Sequence, residues 1–163
     1  MPYSISETLL WLFAINLGIA AGAGFYETRI VVPQWLTGSQ ETGYHWNRAA
    51  AVDANVGLRF WSFVTTLPLT LLTLASLIAA TLAPLPLKGW WLLAATAALF
   101  DRLMTFGYFI PTMLGLMQAD RYSNTEAALK ALQWVQLGYL RHAALLIAFL
   151  ATLKAFAEFY LSR

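Results

Sequence analysis

The stretch WWLLAATAALFDRLMTFGYFIP, from Trp90 to Pro111, is apolar along most of its length but carries an aspartate and an arginine side by side. A helix of these 22 residues is about 33 Å long at 1.5 Å per residue, close to the 30 Å hydrocarbon core of a bilayer. Trp90 and Trp91 are typical of a membrane interface. Asp101 and Arg102 follow about ten residues later, so the stretch predicts a membrane-spanning helix with two charges near the midplane.

The composition predicts the same environment for the whole chain. Charged residues make up 11% of the 163 positions and hydrophobic residues 60%, whereas an ordinary soluble domain has roughly 25% charged residues. The net charge of +2 is spread without basic runs, so nucleic acid is not an expected partner. The absence of cysteine excludes disulfides, thiolate metal sites and cysteine nucleophiles. We expect an integral, multi-pass protein of the cell (inner) membrane, with the lipid bilayer as its first partner.

Four apolar segments are long enough to cross a bilayer, which requires about 20 residues of helix. They cover about residues 8–32, 57–82, 89–117 and 132–159. The connections are a loop of about two dozen residues, a Pro-rich turn (APLPLK) and a polar link (QADRYSNTEAALK). Short connections favour antiparallel neighbours, and an even number of spans puts both termini on one side. The predicted fold is all-α: a single domain, residues 1–163, that forms an up-down-up-down four-helix membrane bundle.

The basic residues give a weak bias in orientation. Three lie on the side of the termini, namely Lys88, Lys154 and Arg163, and five on the side of the two longer loops, namely Arg29, Arg48, Arg59, Arg121 and Lys130. The positive-inside rule nominally places those loops in the cytoplasm. Arginines that are buried between helices should not be counted.

At helical spacing, each span presents one polar face. The faces are Asn16, Ala20, Ala23, Gly24 and Glu27 in the first span, Arg59, Ser62, Thr66, Thr70 and Thr73 in the second, Asp101, Met104, Thr105, Tyr108 and Thr112 in the third, and Gly138, Tyr139 and His142 beside Arg141 in the fourth. Hydrocarbon solvates none of these groups, and a charge near the midplane costs about 2.5–3.5 kcal/mol. The four faces are therefore expected to converge inside the bundle on a polar pocket.

Asp101 and Arg102 would form the floor of this pocket. Neighbouring helix positions point about 100° apart, so each charge is expected to pair with a different helix. We expect Asp101 to face Arg141 or His142, and Arg102 to face another acid. The catalytic candidates are Glu27, His142 and Arg141. The ligand-binding candidates are polar residues of the same faces: Arg59, Asp101, Arg102, Tyr108, Asn16 and Thr66.

A structural interpretation competes with the functional one. Intramembrane ion pairs and hydroxyl groups also hold helices together. Arg59 can extend its charge to the interface, and Tyr108 is equally typical of ordinary packing. His142 is the group that changes charge near neutral pH, which favours a function for it.

No cofactor is predicted. The chain has two histidines, and haem ligation by both would require His45, in the first loop, to fold onto the bundle near His142. Glu27, His142, His45 and Asp53 supply mixed oxygen and nitrogen ligands for a divalent metal, but no spacing motif supports that set. Nucleotide-binding and serine-hydrolase motifs do not occur in the sequence.

The segment GAGFYETRIVVPQW, from Gly22 to Trp35, and the segment WVQLGYLRHAALL, from Trp134 to Leu146, carry a resemblance to a known family. Together with the long first loop, they resemble the anthrone-oxygenase-like family of small four-span integral membrane proteins. The resemblance implies oxidation of anthrones to anthraquinones. An anthrone has an acidic CH₂ that reacts with dioxygen once deprotonated, so a base, a cationic clamp and an apolar slot suffice.

The resemblance implies the following roles. Glu27 or His142 would be the base, Arg141 or Arg59 would hold the enolate oxygen, and Tyr108 or Phe25 would line the slot. The leading hypothesis is therefore a membrane-embedded protein that binds a hydrophobic aromatic or quinone-like molecule in a polar pocket and oxidises it without a cofactor. The alternative is a non-enzymatic membrane subunit or small transporter whose buried charges are structural or form a proton path.

The first span also predicts self-association. Gly18 and Gly22 are four residues apart, and Ala14 and Tyr26 extend the same line. Small residues at this spacing let helix backbones approach closely, so a homo-oligomer is expected. The same two glycines can instead pack against another helix of their own chain.

Overall fold

The computed structural model describes residues 3–39, 43–119 and 121–161, and about 88% of these residues are helical. Four helices in the described part are long and apolar enough to cross a membrane, which indicates a membrane protein. We number them span 1 (Ser4–Trp35), span 2 (Gly57–Thr81), span 3 (Leu87–Met117) and span 4 (Asn124–Leu161). The four predicted segments are confirmed as helices.

Span 4 begins at Asn124, about eight residues earlier than predicted. Ser123 and Glu126 form a capping box in which the backbone N–H and hydroxyl of Ser123 donate to the Glu126 carboxylate, at 3.0 and 2.9 Å, and Glu126 N–H donates to the Ser123 hydroxyl. The resulting helix has 38 residues and is about 57 Å long. It is longer than a bilayer core is thick, so one end of it projects into the water layer.

Spans 1, 2 and 3 each contain a π-helical segment, while span 4 is α-helical throughout. In span 1, a π-helix over Glu27–Val31 lies between α-helices Tyr3–Tyr26 and Val32–Trp35. Span 2 begins with a π-helix over Gly57–Thr66 and continues as an α-helix over Leu67–Thr81. In span 3, a π-helix over Thr105–Phe109 lies between α-helices Leu87–Met104 and Ile110–Met117. Each π-helix ends two residues before a proline.

These prolines explain the π-helices. Pro33, Pro68 and Pro111 lack an N–H, and in an α-helix the proline ring clashes with the carbonyl four residues earlier. In each case the residue before the proline donates its N–H to a carbonyl five residues back: Val32 to Glu27, Leu67 to Ser62 and Ile110 to Thr105. The widened turn inserts an extra residue, so side chains on its two sides no longer follow one 3.6-residue repeat.

Each span packs against two others. Span 1 contacts spans 2 and 4, and span 3 contacts the same two. The interior at their contacts is rich in buried alanines, which let helix backbones approach closely: Ala20, Ala21, Ala94, Ala98, Ala148 and Ala151. Gly18 belongs to such a contact, because a Cβ there would lie 3.3 Å from the Phe149 ring of span 4. Part of the predicted self-association surface is therefore used within the chain.

The first loop folds into a hairpin and a short helix, which the sequence analysis did not predict. Strand β1 (Leu36–Ser39) pairs antiparallel with β2 (Gly43–Trp46), and a helix follows over Arg48–Ala54. Trp46 Nε1 donates to the Leu116 carbonyl at 3.2 Å. These elements and the adjoining ends of spans 1, 3 and 4 bury a separate apolar core, which we call the cap: Val32, Trp35, Trp46, Ala51, Leu116, Ala127, Ala128 and Ala131.

Candidate functional site

A fully buried carboxylate, Asp101, joins spans 3 and 4. Its Oδ1 accepts a hydrogen bond of 2.9 Å from Arg141 Nε, which confirms one of the two pairings expected for Asp101. Its Oδ2 accepts from Nε of Arg102 at 2.9 Å and from Nη2 of the same residue. The expectation that Arg102 pairs with another acid was wrong, because the long arginine side chain folds back onto its neighbour.

Arg141 extends this network toward the cap and span 1. Its guanidinium lies 4.3 Å from the centre of the Phe109 ring, and Trp134 Nε1 donates to the Phe109 carbonyl at 3.2 Å. Arg141 also interacts electrostatically with Glu27, whose Oε1 accepts a 3.0 Å hydrogen bond from Trp61 Nε1. The two carboxylates and the two guanidinium groups formally cancel. We call Glu27, Asp101, Arg102 and Arg141 the charge network.

His142 lies beside the charge network and is 7% exposed. It interacts electrostatically with Arg141 and Asp101. The absence of a side chain at Gly24 makes room for it, because a Cβ at Gly24 would lie 2.7 Å from His142 Nε2. The imidazole therefore fits against the backbone of span 1.

Two nitrogens of this group lack hydrogen-bond partners. Within residues 3–39, 43–119 and 121–161, neither Arg102 Nη1 nor His142 Nδ1 has one, although both atoms are buried. An unsatisfied buried polar group costs about 1–3 kcal/mol. A bound molecule or water with a hydrogen-bonding oxygen would remove that cost.

Asn16, a predicted ligand-binding residue, has a structural explanation. Its Nδ2 donates to the Val64 carbonyl at 2.8 Å. In an α-helix that carbonyl would accept from the residue four positions later, which is Pro68 and has no N–H. Asn16 therefore satisfies a carbonyl that the proline leaves without a donor, and it holds spans 1 and 2 together.

Three other predicted residues lie at the margin of the site. Arg59 is exposed, Thr66 and Tyr108 are half-buried, and the Tyr108 side chain interacts with Thr112. The buried positions are instead Thr65 and Phe109, each one residue away from the predicted one. The π-helices cause this shift, since an extra residue in the turn changes which side chains face inward.

The prolines were the sequence feature that would have located these residues. Each π-helix is followed by a proline at a fixed distance, so the 3.6-residue repeat should have been restarted at Pro68 and Pro111. Trp61, which donates a hydrogen bond to Glu27, was not among the predicted site residues. Its role as a hydrogen-bond donor depends on the packing of spans 1 and 2 and has no local sequence signature.

The residues considered for metal or haem binding do not come together. In the described part of the chain, no three histidine, cysteine, aspartate or glutamate side chains are close enough to hold a metal ion. His45 lies exposed on β2 and Asp53 is exposed on the helix after it, whereas Glu27 and His142 lie within spans 1 and 4.

A narrow crevice without room for a water molecule lies in the cap and not at the charge network. It is lined by Trp35, Trp46 and Trp134 together with aliphatic neighbours, and no residue of the charge network contributes to its wall. The cap packs onto the loop-side ends of spans 1, 3 and 4.

The fold and the site define a membrane protein with an intramembrane ion-pair network beside a buried histidine. Comparisons with protein-family models, with curated proteins and with solved structures find no match to this chain. The family resemblance of the first and fourth spans remains a prediction.

Proposed function

We propose that the four spans form an up-down-up-down bundle with both termini on one side of the membrane. Two contacts between spans 1 and 4 support this arrangement. Tyr160 OH donates to Glu7 Oε1 at 2.6 Å, and His142 lies against Gly24. Residue numbers rise along span 1 from Glu7 to Gly24 and fall along span 4 from Tyr160 to His142, as in antiparallel helices.

We further propose that the longer loops face the cytoplasm of the cell membrane. All five basic residues on the side of the longer loops are exposed: Arg29, Arg48, Arg59, Arg121 and Lys130. None of them is buried between helices, so all five are counted when the basic residues of the two sides are compared. On the opposite side, Lys154 is exposed and Lys88 is half-buried, while Arg163 lies outside the described residues. An excess of lysine and arginine favours the cytoplasmic side.

For its activity, we propose that the protein binds a lipid-soluble aromatic or quinone-like molecule beside the charge network. The observation that supports this function is the pair of buried nitrogens, Arg102 Nη1 and His142 Nδ1, which lack partners in the described part of the chain. A ligand oxygen placed between spans 3 and 4 would complete their hydrogen bonding.

Oxidation of the bound molecule is the finer form of this proposal. The His142 imidazole accepts a proton from an acidic CH₂ of the substrate, and Arg102 and Arg141 stabilise the negative charge that develops on the substrate oxygen. Dioxygen takes up the electrons, so that the CH₂ becomes a carbonyl group and water is released. Glu27 orients Arg141 in this scheme and is itself held by Trp61.

A second candidate is a non-enzymatic membrane subunit or transporter. The charge network favours it, because Asp101 is paired with two guanidinium groups of its own chain and Glu27 with Trp61. Such pairing holds spans 1, 2, 3 and 4 together without a ligand.

The two candidates differ in what is purified with the protein. We expect protein extracted in mild detergent to carry a reproducible aromatic compound, detected by absorbance and identified by mass spectrometry of the organic extract. A mock purification from the same membranes without the protein is the control. Repeated preparations that contain only phospholipid would favour the structural candidate.

A further inference from the structure

Two aromatic side chains from different spans contact the His142 imidazole. The Phe25 ring of span 1 is centred 5.3 Å from the imidazole, and the Tyr139 ring of span 4 is centred 6.3 Å from it. Phe25 and Tyr139 are 47% and 55% exposed, whereas His142 is 7% exposed. The two rings therefore separate the histidine from the outer surface of the protein.

The surface at this point is expected to face hydrocarbon. Lys154 is exposed and follows His142 by twelve residues, about 18 Å along the helix. If Lys154 lies at the interface, His142 lies near the middle of a core about 30 Å thick. Toward the longer loops, the cap packs onto the ends of spans 1, 3 and 4, and Trp35 and Trp46 are buried in it. Molecules dissolved in the bilayer are thus the ones that meet this part of the surface.

We infer that Phe25 and Tyr139 form an aromatic clamp through which a planar, lipid-soluble aromatic molecule reaches His142 directly from the bilayer. The inference rests on the proposed function and adds its access path and selectivity. The molecule stacks on the two rings, which select for a flat π-system. An oxygen on it hydrogen-bonds to His142 Nδ1, an atom with no partner among the described residues. Gly24 brings the imidazole within reach of this surface.

The test uses 2-methyl-1,4-naphthoquinone as the probe and purified full-length protein in liposomes. Saturable quenching of tryptophan fluorescence gives the dissociation constant. Phe25→Ala and Tyr139→Ala are each expected to weaken binding about fivefold, because each removes one stacking surface. Tyr26→Ala and Leu140→Ala are matched controls, since these exposed neighbours make no ring contact with His142, and they are expected to bind within about twofold of the wild type.

Conservative variants separate stacking from general damage. Phe25→Tyr and Tyr139→Phe keep both rings, so both should bind within about twofold of the wild type. The clamp is overturned if the alanine variants bind as tightly as the wild type while His142→Gln loses binding, a result that leaves the proposed function standing. If His142→Gln also binds normally, or if the wild type shows no saturable binding, both the clamp and the proposed binding site are wrong.

Discussion

Asp101→Asn is predicted to destabilise the protein strongly. Asp101 is fully buried and neutralises two guanidinium groups, whereas asparagine keeps its shape without its charge. The variant leaves Glu27 as the single acid beside Arg102 and Arg141, so the network carries one unbalanced positive charge. Breaking a buried ion pair costs about 3–5 kcal/mol. For a chain of this length that corresponds to a fall of roughly 6–20 °C in the unfolding midpoint.

A second substitution tests whether charge balance is the cause. Arg141→Met removes the surplus cation and retains an apolar chain of similar length. In the Asp101→Asn background it should recover part of the loss, because Glu27 and Arg102 again cancel and coupled residues interact by about 0.5–3 kcal/mol. The assay is thermal unfolding in one detergent, followed by circular dichroism. An Asp101→Asn midpoint within about 2 °C of the wild type, or a double variant less stable than the sum of the single effects, would refute the reasoning.

Three further predictions follow from single contacts and from the topology. Gly24→Ala should cost about 1–3 kcal/mol in stability, because its Cβ would collide with the buried histidine. Gly22→Ala should be neutral or stabilising, because no described side chain lies within 4 Å of its Cβ position. Equal unfolding midpoints of the two variants would contradict this prediction. Asn16→Leu should cost about 1–3 kcal/mol and leave quinone affinity unchanged, since its amide serves a backbone carbonyl; a loss of binding without a loss of stability would reverse that assignment. In this cysteine-free chain, cysteines placed at Ser123 and Leu161 should react with an impermeant maleimide from opposite sides of the membrane, and labelling from one side would exclude the proposed topology.

The positions of the four spans could be predicted from the sequence, because they depend on the local run of apolar residues. Runs of apolar residues of bilayer length determine where helices cross, and the four helices lie where those runs predict. The pairing of Asp101 with Arg141 was also predictable, because the cost of charge in hydrocarbon requires a partner and few were available. The pairing of Arg102 was not, because its side chain is long enough to fold back onto Asp101 although the two Cα–Cβ bonds point in different directions.

In spans 2 and 3, the buried residues lie one position away from the predicted ones, and the difference has a physical reason. A single helical repeat was applied across Pro68 and Pro111, although the chain relieves each proline with a π-helix. Thr65 and Phe109 are buried as a result. The cap was missed for another reason: its short strands are stabilised by Trp46 packing against the ends of distant spans, which no local pattern encodes.

The central claim is that His142 serves a ligand while Asp101 serves the fold. The most direct measurement compares unfolding midpoint and co-purified aromatic compound in wild type, His142→Gln and Asp101→Asn, all purified in parallel. We expect His142→Gln to stay folded and to lose the compound, whereas Asp101→Asn loses stability. If His142→Gln unfolds as readily as Asp101→Asn, or retains the compound in full, the claim is contradicted and the buried charges are structural.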